Sequence, residues 1–72
     1  MNIEIATRNR KKLTVKTLRV MITHCEMLIT HCKAWSLIAE TKLLRTQWRE
    51  TADSIFNSKQ LLTAELDSRR RT

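Results

Sequence analysis

Glycine and proline are both missing from this sequence. Glycine supplies the left-handed backbone of many tight turns, and proline pre-sets others. A multi-stranded β fold, with its many turns, is therefore disfavoured, and long helices with short connections are favoured. Cysteine is scarce: Cys25 and Cys32 allow one disulfide at most. Aromatic residues are few as well, Trp35, Trp48 and Phe56, with no tyrosine. No stretch reaches the ~18 uninterrupted apolar residues of a membrane span. The opening MNIEIATRNRKK has no apolar core behind a charged start, so it does not read as a secretory signal. With free thiols expected, the compartment these features imply is the cytoplasm.

What the sequence does contain is periodic. From Leu18 to Ala39 the apolar residues are Leu18, Met21, Ile22, Cys25, Leu28, Ile29, Cys32, Trp35 and Ala39. Steps of three and four place them along one side of an α-helix, and that side must be buried against something. The helix is predicted to start near Thr14 or Thr17, where a threonine hydroxyl can accept a first-turn N–H, and to run to about Leu37. A second stripe follows: Leu44, Trp48, Ala52, Ile55, Leu62 and Leu66. Lys59 interrupts it, its stem able to lie on the apolar side with the ammonium in water. Arg49 with Asp53, and Glu65 with Arg69, are four apart and form potential surface pairs.

Between the stripes the phase slips. Continued at its own spacing, the first would meet Lys42 and Thr46, whereas the second begins at Leu43 and Leu44. Either a turn lies near residues 38–42, or one long helix changes face there. The expected fold is all-α, a two-helix antiparallel hairpin; the alternative is one long helix in a dimeric coiled coil. The domain reading is a basic arm over residues 1–12, irregular or flexible, then a hairpin module over 13–68 and a basic tail over 69–72. Ile3 and Ile5 alternate with polar residues in the manner of a strand, but no other segment offers a partner strand, so the segment reads as an arm or an irregular helical lead-in.

The net charge of +7 is concentrated at the ends. Arg8, Arg10, Lys11, Lys12, Lys16 and Arg19 against Glu4 give residues 1–20 a charge of +5, and Arg69, Arg70 and Arg71 add +3. The body between them nets −1. Duplex-DNA modules more often carry a basic stripe along their helices. The near-neutral body therefore favours a protein partner, while Arg8, Arg10, Lys11, Lys12, Arg69, Arg70 and Arg71 are the candidates for phosphate or acidic-partner contact.

Two copies of an Ile-Thr-His-Cys motif, residues 22–25 and 29–32, resemble a metal site at first sight. Spacing opposes this. Seven residues of helix span about 10.5 Å, whereas a disulfide needs Cα atoms within about 7 Å. Helical zinc chelation uses side chains three or four apart, with donors about 2.0–2.3 Å from the ion. The cysteines read as small core residues and the histidines as flank or surface residues; no metal or other cofactor is expected, although a metal shared between two chains is geometrically possible. Catalysis is not expected either. His24 diverges by about 100° from Cys25 on a helix, and no glycine-rich loop is present to cradle a phosphate. Trp35 and Trp48 lie in the apolar stripes and read as core or interface anchors.

At Glu26-Met27-Leu28-Ile29-Thr30 and Trp48-Arg49-Glu50-Thr51 the chain resembles the YscE-like small co-chaperones of type III secretion systems, over about residues 18–62. Those proteins are of similar length and read as two antiparallel helices; this chain lacks the glycines expected at their turn and is more basic. The resemblance implies a cytoplasmic protein that pairs with a helical-repeat chaperone to hold a secretion subunit and stop its early polymerisation. Leu18, Ile22, Leu28, Ile29, Trp35, Leu44, Trp48, Ile55 and Leu62 are then the candidates for core or partner contact.

Chains of 72 residues bury only about 60 % of their unfolded surface, which makes a partner the natural support. The expected function is thus a protein-binding helical module, a co-chaperone or adaptor acting on a partner protein or on a second copy of itself. The alternative is a basic, phage-type or nucleic-acid-associated regulatory protein that binds through its charged ends.

Overall fold

The computed structural model describes residues 2–70. Two long helices form an antiparallel hairpin, α2 over Val15–Ile38 and α3 over Lys42–Arg70, preceded by a short helix α1, Ile3–Arg8, and a 3₁₀ turn, Arg10–Lys12. No strand occurs among the described residues. The molecule is a rod of 47 × 18 × 17 Å, with α1 and the 3₁₀ turn folded against its open end.

The helix boundaries have local causes. Thr14 caps α2, its hydroxyl accepting the Thr17 N–H at 3.1 Å. α2 ends because Ala39 takes up extended backbone (φ −64°, ψ 132°). Thr41 then opens α3, its hydroxyl accepting the Leu44 N–H at 3.1 Å, while the Arg45 Nε donates back to the Ala39 carbonyl at 3.2 Å. Among the described residues no backbone has positive φ. The chain leaves α2 through extended backbone at Ala39, a geometry open to any L-residue, so the turn does not require glycine.

The first residues differ from the sequence expectation. Residues 3–8, read as part of an irregular or flexible arm or an irregular helical lead-in, form a regular helix, α1. The Asn2 side chain accepts the Glu4 N–H at 2.7 Å, an N-cap for the helix. The residues turned inward are Ile3, Ala6 and Thr7, spaced as on a helix, while Ile5 is half exposed. The Thr7 hydroxyl, almost buried, donates to the Ile3 carbonyl at 2.7 Å. The other end differs too: α3 continues through Arg70, so Arg69 and Arg70 belong to the helix rather than to a tail. Arg71 and Thr72 lie outside the described residues.

The core is concentrated at the open end. Ala6, Leu18, Met21, Cys25, Leu62 and Leu66 are buried together, with Ile3, Leu13, Ile22 and Ile55 packed on them. Toward the turn the buried residues become small: Cys32, Ser36 and Ala52. Larger apolar side chains nearby, Leu37, Ile38 and Leu43 among them, stay exposed.

Lys59, the residue that breaks the second stripe, reaches across the hairpin to Glu26 at 3.4 Å, with its side chain 29 % exposed. Cys25 lies beneath this pair. Burial pushes its thiol above the ordinary value, partly opposed by the Lys59 ammonium and reinforced by the Glu26 carboxylate. A neutral thiol favoured by the fold contributes stability that is fully present below the unfolded thiol pKa and is lost as pH rises through the higher folded value. Urea midpoints at about pH 7 and about pH 9.5, either side of the ordinary thiol range, should show this decline. A Cys25→Ala variant should show a smaller one, and equal declines in both proteins would exclude Cys25 as the cause.

Candidate protein-interaction surface

The two ends of the rod are chemically different. At the open end the Arg69 guanidinium gathers the loop that joins α1 to α2. It donates to the carbonyls of Arg10 at 3.0 Å and Lys11 at 2.9 Å and to that of Leu13. On its own helix it lies 3.8 Å from Glu65, the pairing expected from their spacing. Arg10 donates to the Thr7 carbonyl at 2.7 Å, and Arg8 pairs with Glu4 at 2.7 Å on the surface. Of the basic residues proposed to bind phosphate, Arg10 and Arg69 are thus committed to holding the fold. Lys11, Lys12 and Arg70 are exposed, and Arg71 is outside the described residues.

The turn end exposes large apolar side chains beside the polar Glu40, Thr41 and Lys42. Trp35 on α2 and Trp48 on α3 stack across the hairpin, ring centroids 6.2 Å apart and planes inclined by 21°. Such a pair contributes about 0.5–1.5 kcal/mol beyond the area it buries. Nevertheless Trp35 remains 53 % exposed. Around the pair, Leu37 is 83 % exposed, Ile38 and Leu43 are each 67 % exposed, and Leu44 is 44 % exposed. Isolated exposed leucines are ordinary, but a cluster of large apolar side chains at one pole is characteristic of a contact surface.

The residues singled out from sequence divide accordingly. Leu18 and Leu62 are fully buried; Ile22 and Ile55 pack at the margin of the core. Leu28, Ile29 and Trp48 are partly covered, and Trp35 and Leu44 face solvent at the turn end. The periodic stripes did not flag Leu37 or Ile38, and Leu43, at the start of the second stripe, was not among the contact candidates. The available signal was their crowding: Trp35 to Ala39 and Leu43-Leu44 put apolar residues all around the helix ends, more than one stripe can hide. Cys25 and Cys32 are free and buried, while His24 and His31 are exposed. Among the described residues no three His, Cys, Asp or Glu side chains come together as a metal site would require, and no helix is long and apolar enough to cross a membrane.

Fold and surface together define a small helical hairpin with one pinned, basic end and one uncovered, apolar end. No protein-family model, curated protein or solved structure matches this chain.

Proposed function

We propose that this chain is a protein-binding helical module, a co-chaperone or adaptor that covers an apolar surface of a partner with the turn end of its hairpin. The observation that carries this reading is the uncovered cluster of Trp35, Leu37, Ile38, Leu43 and Leu44. Burying such side chains yields about 25 cal/mol per Å² of apolar surface. The stacked tryptophans form a stiff platform among them, and tryptophan is enriched among residues that dominate binding energy. No enzymatic role is part of the proposal. The resemblance of residues 18–62 to the YscE-like co-chaperones gives the partner a form: a helical-repeat chaperone or a secretion subunit. The compartment is then the cytoplasm, where thiols such as Cys25 and Cys32 stay reduced.

Complex mass in extracts of the source cell tests this. The expected result is co-elution with a helical partner, and a weakening of that complex by about 30-fold in a Leu37→Glu/Leu43→Glu double variant, the effect of losing a contact worth about 2 kcal/mol. Both side chains are largely exposed, so the helix content of the variant should match the parent. A complex that survives the double substitution, or a chain that elutes alone, would overturn the proposal.

A second reading rests on the exposed Lys11, Lys12 and Arg70 at the opposite end, which suit phosphate groups of a nucleic acid. Such binding weakens steeply with salt. An empty gel shift at about 50 mM salt would end it.

A further inference from the structure

The body of the chain, which nets −1, divides into two regions of opposite sign. Residues 33–49 hold Lys33, Lys42, Arg45 and Arg49 against Glu40, a charge of +3. The rest of residues 21–68 holds Lys59 against Glu26, Glu50, Asp53, Glu65 and Asp67, a charge of −4. All four turn-end cations are exposed. The ion pairs among the described residues are Arg8–Glu4, Lys59–Glu26 and Arg69–Glu65, so none of the four meets a carboxylate. The Arg49–Asp53 pair that their spacing suggested does not form. Arg45 gives its Nε to the Ala39 carbonyl and remains exposed.

The layout of the hairpin leaves these cations unanswered. The Lys59–Glu26 pair bridges α3 and α2 on one side of the rod. Helix residues seven apart return to within about 20° of the same side. Lys33 is seven residues beyond Glu26, and Arg45 is fourteen before Lys59, so both lie on that side, nearer the turn. Lys42 and Arg49, three before and four after Arg45, continue the row along α3. The Trp35–Trp48 stack sets the level, with Lys33 two residues from one ring and Arg49 next to the other. Where Glu26 answers Lys59, its successor one heptad on is therefore another cation. Beside this group stands Leu37, four residues past Lys33 and almost fully in water. Like charges gathered on one face repel one another unless anions from outside neutralise them.

On the reading of the turn end as a protein-contact surface, we propose that its partner presents an acidic, amphipathic segment. Apolar side chains of that segment cover the turn-end cluster, and its carboxylates meet Lys33, Arg45 and Arg49. The exposed Leu37 separates such a chain from a nucleic acid, whose phosphates would leave the leucine in water. Glu40, exposed in the turn itself, opposes an anionic lipid surface, which would meet that carboxylate first. Complementary charge of this kind selects among partners and speeds encounter, while the apolar contact holds the complex.

Titration of the full chain with synthetic helical peptides tests the proposal. Emission of Trp35 and Trp48, the only tryptophans, reads the turn end directly. The peptides lack tryptophan, share one leucine stripe and differ only in the flanking residue: glutamate, glutamine or lysine. At about 50 mM salt the glutamate peptide should bind about tenfold more tightly than the glutamine peptide, with lysine weakest, and about 300 mM salt should narrow the differences. Lys33→Glu/Arg49→Glu, both exposed, should keep its helix content and lose the preference for glutamate. A glutamate preference kept in that variant overturns the proposal, and so does a larger emission shift on phosphatidylglycerol vesicles than on the glutamate peptide. Equal binding of the three peptides, lost in Leu37→Glu/Leu43→Glu, removes the acidic partner and leaves the contact surface standing. Binding of none also removes it, and the complex mass in extracts then judges the contact surface separately.

Discussion

Replacing Leu62 by alanine is expected to unfold much of the chain at room temperature. Leu62 is fully enclosed at the open end, among Leu18, Met21, Cys25 and Leu66. Truncating a buried leucine loses its transfer free energy and leaves a cavity, together about 2–5 kcal/mol. A single core in a domain this small supplies only about 3–5 kcal/mol. The variant should therefore lose most of its cooperative thermal transition by circular dichroism. The control is Leu37→Ala, where the side chain is 83 % exposed and the change in stability should stay within about 0.5 kcal/mol. Equal melting of the two variants would mean that the core is not where the structure has it.

The second large effect is expected at Arg69. Its planar guanidinium serves three carbonyls from residues 10–13, a geometry that an ammonium cannot reproduce. Arg69→Ala should undock the α1 segment while leaving the hairpin standing. The loss is roughly 1.5–3 kcal/mol rather than the sum of three bonds, because the released carbonyls take up water. Amide hydrogen exchange should accelerate about 10–100-fold over residues 3–13, with protection in the middle of α2 and α3 retained. Arg69→Lys should resemble the alanine variant more than the parent. Arg70→Ala, one residue on and exposed, should change little. Undiminished protection of α1 in Arg69→Ala would show that Ile3, Ala6 and Leu13 hold the segment without help.

Part of this could be anticipated from residue types. Thr14 was one of two candidate caps, and it is the one used because Thr17 is already inside the first turn and supplies the donor. The second stripe survived its lysine because Lys59 finds Glu26 across the hairpin. α1 was obscured because two of its three inward residues, Ala6 and Thr7, carry little hydrophobic signal, while the third, Ile3, alternates strand-like with Ile5, which is half exposed. The roles of the basic residues were not legible for a similar reason: a formal charge does not say whether a guanidinium serves backbone carbonyls, as Arg10 and Arg69 do.

Periodicity and the missing glycine and proline were enough to establish two amphipathic helices, since the stripe spacing is a property of neighbours three and four apart along one chain. Whether those helices fold back, and which large apolar residues then stay uncovered, depends on contacts between residues tens of positions apart. Extended backbone at Ala39 settles the first by reversing the chain without a left-handed residue. The inward positions near the turn settle the second: they are taken by the small Cys32, Ser36 and Ala52, while Leu37, Ile38 and Leu43 stay in water.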